Sequence, residues 1–251
     1  TSLEQMNEKL ASGDVAGVLV PGINRFGIIE DLADFADSVH SAGALLAVYS
    51  DPSTLAVLKT PAQWGADICC GEAQSLGIPL SWGGPSLGFL ACRKEYMRKL
   101  PGRIVGQTTD LDGKRAFVLT LQAREQHIRR EKATSNICSN QSLMALWVTI
   151  YMSLMGPAGL REVCDKSYGA AHYLKDALVR TGKFSEAFPG KPFLQEFVLR
   201  SDLDPAALQK ALVGAGFFAA YRTQEGLYSF CATEQSSKAD IDALVKVIEN
   251  I

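Results

Sequence analysis

Short apolar runs alternate with a helical period over the first hundred residues. Residues 15–20 and 44–49 are apolar runs, and between them apolar side chains recur at helical spacing over residues 28–40. This pattern predicts a strand, a helix and a second strand, joined as a right-handed unit with parallel strands. Residues 66–70 and 88–92 predict a third and a fourth strand, and the first 14 residues predict an amphipathic helix. The amino-terminal part is therefore predicted to be a layered α/β structure.

The loops that follow the first two strands are candidate pocket walls. Both strands run in the same direction, so residues 23–27 and 50–54 leave the sheet at one edge. Ligands of open parallel sheets bind at the carboxyl ends of the strands. We therefore expect a pocket between these two loops.

The remainder of the chain predicts a different organisation. Residues 101–115 are rich in turn residues and predict an ordered loop, followed by a short strand at 116–122. Two helices are expected, ending and restarting at Gly156 and Pro157. Short alternating elements then predict a small α+β domain. The expected division is 1–155 for the second half of a large domain, 156–182 for a connecting helix and 183–251 for the small domain.

Composition excludes several classes of function. The 251 residues are 47% apolar with a formal net charge of -2, so nothing global attracts nucleic acid or an anionic membrane. We find no apolar run that reaches the roughly 18 residues needed to span a bilayer, and expect a cytoplasmic protein.

The six cysteines contain no C-x-x-C pair and are expected to be reduced. His40 and His172 lack a second histidine at metal spacing, so we expect structural roles and no metal. Because the chain begins at Thr1, we expect it to be cut from a longer protein.

The densest polar cluster runs from residue 124 to 136. Four basic side chains outweigh two acidic ones there, and Thr134, Ser135 and Asn136 follow. Guanidinium groups pair bidentately with carboxylate or phosphate, which favours an anion-facing loop at a subunit contact. A solvated, salt-bridged surface remains the alternative on charge alone.

Residues 60–93 have the frame in which fold-type I pyridoxal-phosphate enzymes hold their lysine. A buried strand, a polar loop and a Gly-Gly-Pro turn into a second apolar strand follow each other there, but the segment contains no lysine. Only an amine condenses with the cofactor aldehyde. The segment therefore resembles such a site without its reactive residue.

Long strings of sequence carry a closer resemblance. INRFGIIEDL at 23–32, GADI at 65–68 and the run from QSLGIPLSWGGPSLGF to SNICSNQSL at 74–143 are similar to glycine cleavage system P-proteins, in their split bacterial form. The similarity is to subunit 1, which does not carry the cofactor. The resemblance implies an α/β fold of the fold-type I PLP-dependent transferase type: a partial large-domain mixed sheet flanked by helices, plus a small C-terminal α+β domain.

The resemblance also implies cofactor and partners. Pyridoxal phosphate is expected in the complete heterotetrameric complex, bound by the catalytic P-protein subunit 2, which passes an aminomethyl group to lipoylated H-protein. The catalytic His-Lys pair corresponds to positions near Ala73 and Gln74, so no covalent cofactor and no catalytic residue are expected in this chain. Catalytic relatives place an aspartate against the pyridine nitrogen; Asp51 lies in that neighbourhood, and the sequence leaves its register open.

Within that family the basic cluster becomes a functional hypothesis. We expect the inter-subunit contact or the channel of the lipoyl arm to be shaped by His127, Arg129, Arg130, Lys132, Thr134, Ser135 and Asn136. Two alternatives remain: an independent fold-type I aminotransferase or lyase whose lysine is Lys59 or Lys94, and a non-catalytic scaffold. Lys59 is expected at the far end of the sheet. We expect this chain alone to be inactive and to self-associate.

Overall fold

The computed structural model describes residues 2–122, 126–133 and 141–251, which form two four-stranded sheets, one two-stranded sheet and the helices that pack on them. The helices are α1 (Leu3–Leu10), α2 (Phe35–Ser41), α3 (Gln126–Arg129), α4 (Ser142–Arg180), α5 (Pro205–Gly214) and α6 (Lys238–Glu249). The strands are β1 (Gly17–Pro21), β2 (Leu45–Tyr49), β3 (Ile68–Glu72), β4 (Gly88–Cys92), β5 (Arg103–Thr109), β6 (Arg115–Gln122), β7 (Ser185–Glu186), β8 (Glu196–Arg200), β9 (Tyr221–Gln224) and β10 (Leu227–Cys231).

The first sheet has the order β1-β2-β3-β4. Strands β1, β2 and β3 are parallel, and β4 pairs antiparallel with β3. Buried residues of α1, α2, β1 and β2 form its core, with Val39 and Leu46 fully buried. The predicted parallel unit is thereby confirmed, and β1 and β4 are the edge strands among the described residues.

The second sheet is antiparallel and has the order β7-β8-β10-β9. Its core is aromatic, with Phe197 stacked on Phe230 at a centroid distance of 5.7 Å. Helices α5 and α6 and the carboxyl half of α4 pack against this sheet. The small α+β unit is present in the predicted part of the chain, while the domain boundaries themselves stay a prediction.

Two sequence-based expectations about local structure are wrong. The helix expected over 28–40 begins only at Phe35, because Ile28 and Ile29 bond elsewhere: Ile29 N–H donates to the Pro192 carbonyl at 2.9 Å, and Ile28 bridges Phe193. The loop expected over 101–115 is instead a strand and the turn of the hairpin β5-β6. Asp110 forms that turn by accepting the N–H groups of Asp112 and Lys114.

Helix α4 changes direction at Gly156, whose φ of 61° and ψ of 179° are not helical. The predicted break between two helices is confirmed at this residue. By length and composition alone, α4 is long and apolar enough to cross a membrane. This finding corrects our expectation that no segment reaches the length needed to span a bilayer. Only 11% of the most apolar stretch of α4 is buried. The exposure is concentrated on the half before Gly156.

Candidate functional site

The carboxyl ends of β1 and β2 open onto one cavity, as the sequence predicts. The cavity has a volume of about 150 Å³. Loop residues Ile23, Asn24 and Gly27 form one wall, and Asp51 and Thr54 form another. The third wall comes from the second sheet through residues 194–196, so the cavity lies between the two sheets.

Asp51 holds together two loops at this edge. Its Oδ1 accepts the Ser53 N–H at 2.9 Å and the Ser53 hydroxyl at 2.8 Å, which caps the 3-10 turn Pro52–Ala56. The same oxygen accepts the Ser75 hydroxyl at 2.6 Å across the sheet edge. The Asp51 carboxylate therefore serves as a clamp between the loop after β2 and the loop after β3.

The loop after β3, where the resemblance implies a lysine in catalytic relatives, is internally hydrogen-bonded. Glu72 Oε1 accepts the backbone N–H of Gln74 at 3.0 Å and of Leu87 at 2.5 Å. The Gln74 side-chain amide donates to the Ile78 carbonyl at 2.6 Å, and Ala73 is 5% exposed. Gln74 thus stabilises the turn of its own loop.

Side chains of helix α4 contact the loop after β3 and hold its backbone in place. The Trp147 indole N–H donates to the Gly77 carbonyl at 2.7 Å. A Cβ at Gly77, where φ is 85°, would lie 2.4 Å from the Tyr151 ring. Only glycine allows this approach, because both the positive φ and the close ring exclude a side chain.

The loop after β3 and the cavity between the two sheets do not fit the pyridoxal phosphate that the resemblance implies for the complete enzyme. Neither Ala73 nor Gln74 supplies an amine, and this cavity, at about 150 Å³, is smaller than the roughly 300 Å³ at which ligand pockets begin. Its ionisable groups, Asp51 and Glu196, are both acidic, which opposes a phosphate. Although Glu196 as a whole is exposed, partial enclosure of its carboxyl and the nearby Asp51 charge raise the pKa of Glu196.

Lys59 does not lie where the sequence analysis placed it. We expected it at the far end of the sheet, but its side chain lines a second cavity of about 270 Å³ that Asp51 also lines. Residues of the 3-10 turn after Asp51 and of the segment that follows it, as far as Trp64, line the same cavity. The Lys59 ammonium lies 4.1 Å from the centre of the Trp64 ring, in a cation–π contact. Lys94 begins a 3-10 turn after the antiparallel strand β4.

Four of the predicted contact residues lie on an exposed segment. His127 and Arg129 belong to the single turn α3, and Arg130 and Lys132 to the 3-10 turn that follows it. All four are exposed. Thr134, Ser135 and Asn136 lie outside the described residues. Over the described ranges, no residue of 126–133 lines either cavity at Asp51.

His40 and His172 make contacts with neighbouring side chains, as expected of the structural roles that the sequence predicts for them. His40 Nε2 lies 2.8 Å from Oδ2 of buried Asp67, at the edge of the sheet opposite Asp51. His172 stacks on Phe193 with ring centres 4.0 Å apart. Sequence analysis missed Glu72, the last residue of β3, and Ser75 in the loop after it, since single polar residues at a strand end or in a loop carry no periodic signal.

Comparison with known proteins agrees with the geometry. The family model described as glycine cleavage system P-protein matches residues 2–248. A protein of Moorella thermoacetica named probable glycine dehydrogenase (decarboxylating) subunit 1 is 49% identical and is matched over all of this chain and 57% of its own length. The protein of the same name in Desulfitobacterium hafniense is 46% identical over 95% of this chain and 54% of its own. The chain therefore spans about half the length of these relatives.

Solved structures support the same assignment. A crystal structure of glycine decarboxylase (P-protein) of the glycine cleavage system, in inhibitor-bound form, matches with a TM-score of 0.89 and 45% identity, over 95% of this chain and 55% of that one. A NifS-like protein from Rickettsia africae matches with a TM-score of 0.73 at 13% identity, over 100% of this chain and 66% of that one, which shows the fold alone. The predicted fold-type I α/β class is confirmed, and the chain belongs to the glycine cleavage system P-protein family.

Proposed function

We propose that this chain is part of subunit 1 of a glycine dehydrogenase (decarboxylating) and assists chemistry performed in a partner subunit. The observation that carries the proposal is the loop after β3, where Gln74, which the resemblance aligns near the reactive lysine of catalytic relatives, donates its side-chain amide to the Ile78 carbonyl. The name of the relatives, subunit 1, implies a second subunit. That subunit would hold pyridoxal phosphate, whose ring withdraws electrons from the carbon left by decarboxylation.

The reaction that the complex would perform is glycine decarboxylation with transfer of the aminomethyl group to the lipoyl arm of H-protein, in the cytoplasm. The present chain would contribute no catalytic residue and would be inactive alone. Its contribution would be a rigid surface, because the Asp51–Ser75 clamp and the Trp147–Gly77 hydrogen bond hold the loops at the sheet edge. A rigid surface costs little ordering entropy on binding.

The exposed segment 126–132 is proposed to face the partner or the path of the lipoyl arm. Its arginines, Arg129 and Arg130, lie on an outward turn where they can pair with carboxylates across a subunit boundary. Alanine at either arginine should lower turnover of the complete complex at least threefold. Arg222→Ala, an exposed arginine on β9, is the matched control and should leave turnover unchanged. Unchanged turnover of the Arg129 and Arg130 variants would remove this role.

The experiment that tests the main proposal reconstitutes the complete complex. Full-length subunit 1, the catalytic subunit, lipoylated H-protein and pyridoxal phosphate are combined, and exchange of labelled bicarbonate into glycine is measured. Activity should require both subunits, and omission of subunit 1 should abolish it. Full activity of the catalytic subunit alone would contradict the proposal and favour a non-catalytic scaffold.

One observation favours a second candidate, an independent fold-type I enzyme. Lys59 lines the same cavity as Asp51. Treatment with pyridoxal phosphate and borohydride, followed by peptide mapping, distinguishes the two functions. Our proposal expects no cofactor on any lysine, whereas specific labelling of Lys59 would establish the alternative. Lys59→Arg provides the control.

Self-association of this chain is also proposed. Strands β1 and β4 are edges of the first sheet within the described residues, and Leu19 on β1 is exposed. Unpaired strand edges with apolar side chains pair with other chains. Sedimentation at increasing concentration should show dimers or larger species, and a monomer throughout would contradict the prediction.

A further inference from the structure

A cavity lined by aromatic rings and lysines lies beside the antiparallel sheet. We call it the aromatic cavity, and its residues come from α4, from β8, from the loop that joins β7 to β8 and from the loop after β1. Its volume is about 360 Å³. Five rings line it: Phe26, His172, Phe188, Phe193 and Phe197. The aromatic cavity shares no lining residue with either cavity at Asp51.

The rings of the aromatic cavity pack on one another. His172 stacks on Phe193 with ring planes 7° apart, and the ring centres of Phe193 and Phe197 are 5.2 Å apart. Phe26 and Phe188 come from different loops, and their ring centres are 5.0 Å apart. All five rings belong to buried or half-buried residues, so they form the walls of a concavity and do not project from the surface. Such walls favour a planar ring as ligand, because aromatic rings stack or meet edge to face.

Lys175 supplies a positive charge to this cavity. Its side chain is 19% exposed, and its ammonium lies 2.7 Å from Glu186 Oε1 and 3.3 Å from Asp176 Oδ1. The hydrogen bond to Glu186 raises the pKa of Lys175, so the ammonium is charged at neutral pH. An ammonium group has three N–H donors, and the described residues provide acceptors for two of them. One donor of Lys175 is therefore left for a ligand.

Lys191 adds a second positive charge to the lining. The residue is exposed, and over the described ranges its side chain forms no ion pair. It closes a tight turn, in which the Lys191 N–H donates to the Phe188 carbonyl at 3.3 Å and Gly190 has a φ of 73°. Two ammonium groups thus line the cavity against one carboxylate, that of Glu186, which is already bonded to Lys175. The charge balance of the lining favours an anion.

Main-chain contacts hold the walls of the aromatic cavity in place. Strand β7, which carries Glu186, pairs with β8. The loop after β1 is joined to the loop before β8, because Ile28 bridges Phe193 and the Ile29 N–H donates to the Pro192 carbonyl at 2.9 Å. A cavity that exists before its ligand arrives loses little ordering entropy on binding.

The lining distinguishes a small molecule from a polypeptide as the occupant. The cores of protein–protein interfaces are depleted in lysine and glutamate, whereas a bonded pair of the two, Lys175 and Glu186, lines this cavity. Small-molecule sites combine mostly apolar and aromatic walls with a few polar groups, in volumes of roughly 300–1,000 Å³. The aromatic cavity has this composition and this size.

We propose that the aromatic cavity binds a small planar aromatic carboxylate. The ring of the ligand would lie against the aromatic walls, and its carboxylate would pair with the ammonium groups of Lys175 and Lys191. Hydrogen bonds between two charged groups are stronger than those between neutral groups, so the lysines would select for the anion. The site is independent of the proposed function, because it uses no residue of the loop after β3 and none of segment 126–133.

The test titrates full-length subunit 1 with three small probes in a calorimeter. Indole-3-acetate joins a planar ring to a carboxylate, tryptamine has the same ring with an ammonium group, and cyclohexylacetate has the carboxylate without a planar ring. Indole-3-acetate should bind at one site per chain, about tenfold or more tightly than either of the others. Equal affinities for indole-3-acetate and tryptamine would show that charge is not recognised and would overturn the inference. Absence of saturable binding of indole-3-acetate would overturn it as well.

Single substitutions locate the bound probe. Phe188→Ala removes a wall and Lys191→Ala removes a charge, and each should weaken binding of indole-3-acetate about fivefold or more. Since Lys191 is exposed, Lys191→Ala should melt at the wild-type temperature, so this variant stays informative even where Phe188→Ala fails to fold. Lys246→Ala, an exposed lysine on α6 outside the cavity, is the matched control and should bind within about twofold of wild type. Wild-type affinity of Lys191→Ala would overturn the inference.

Acetylation of lysines by an N-hydroxysuccinimide ester, mapped by mass spectrometry, supplies an independent measurement. In full-length subunit 1, Lys191 should react freely without a probe and should be protected by saturating indole-3-acetate, while Lys246 should react equally in both. A Lys191 that is unreactive without any probe would mean that the rest of the polypeptide covers the cavity, and would overturn the inference. Protection by inorganic phosphate as strong as that by indole-3-acetate would show that the rings take no part in recognition, and would also overturn it.

Discussion

Among the carboxylates described above, Asp67 is the one whose replacement should lower the free energy of unfolding most. The Asp67 side chain is 2% exposed and joins three elements at the amino end of β3. Its Oδ2 accepts the Leu46 N–H at 2.8 Å and lies 2.8 Å from His40 Nε2, while Oδ1 lies 3.3 Å from Arg93. Desolvation raises the pKa of Asp67, but these hydrogen bonds and the positive charges outweigh it and hold the pKa below its usual value.

The magnitude follows from which groups lose a partner in Asp67→Ala. The Leu46 N–H is buried, and an unpaired buried donor costs about 1–3 kcal/mol. His40 and Arg93 are 35% and 44% exposed, so water replaces Asp67 around them and their ion pairs contribute under about 1 kcal/mol. With the small void added, we expect a loss of about 3 kcal/mol in the free energy of unfolding for Ala and about 1 kcal/mol for Asn, which keeps an acceptor.

Urea denaturation of the full-length subunit measures this loss. A carboxylate whose pKa is lowered by folding contributes its stabilisation above the unfolded pKa of about 3.9, and that contribution disappears as pH falls through the lower, folded value. The difference in the free energy of unfolding between wild type and Asp67→Asn should therefore be largest at pH 7 and should decrease below about pH 4. Asp31→Ala is the control, because exposed Asp31 accepts, within the described part of the chain, only the Ala33 N–H. A loss under about 1 kcal/mol for Asp67→Ala would refute the reasoning.

Two further changes test the packing of the loops. Gly27→Ala would place a Cβ 2.0 Å from the Glu196 carbonyl oxygen and should lower the melting temperature by well over the roughly 3 °C that 1 kcal/mol corresponds to at this chain length, whereas Gly13→Ala, also at positive φ but with open space around it, should cost about 1 kcal/mol. Equal melting temperatures would contradict the close approach. Trp147→Phe removes the hydrogen bond to the Gly77 carbonyl and should cost about 1 kcal/mol in urea denaturation; a Tyr at the same position that restores full stability would argue against a directional indole bond.

The sequence predicts the parallel unit because apolar runs and helical spacing are local signals. Strands β1 to β4 lie within two residues of their predicted positions. The sequence misplaces the start of α2 because Ile28 and Ile29 have helical spacing but pair with Phe193 and Pro192, far along the chain. The spacing of apolar residues indicates which side chains are buried, but it does not indicate which backbone groups hydrogen-bond with each other.

The candidate site was predictable only in outline. The missing lysine at Gln74 and the two wall loops are visible in the sequence, as is the candidacy of Asp51. The Asp51–Ser75 clamp was not predictable, since it joins residues 24 positions apart through side chains that carry no pattern. Lys59 was misplaced because the direction of the chain after Asp51 depends on a single 3-10 turn.

The backbone contacts of the segment between β1 and α2 limit how far the two four-stranded sheets can move against each other. Ile29 donates to the Pro192 carbonyl, and Gly27 lies directly against the Glu196 main chain, with no side chain between them. Main-chain atoms thus make direct contacts between the parts of the chain that carry the parallel and the antiparallel sheet, and main-chain atoms move less readily than side chains. A tilt of the antiparallel sheet would change the spacing of the cavity walls at Asp51, because residues 194–196 and Asp51 line the same cavity.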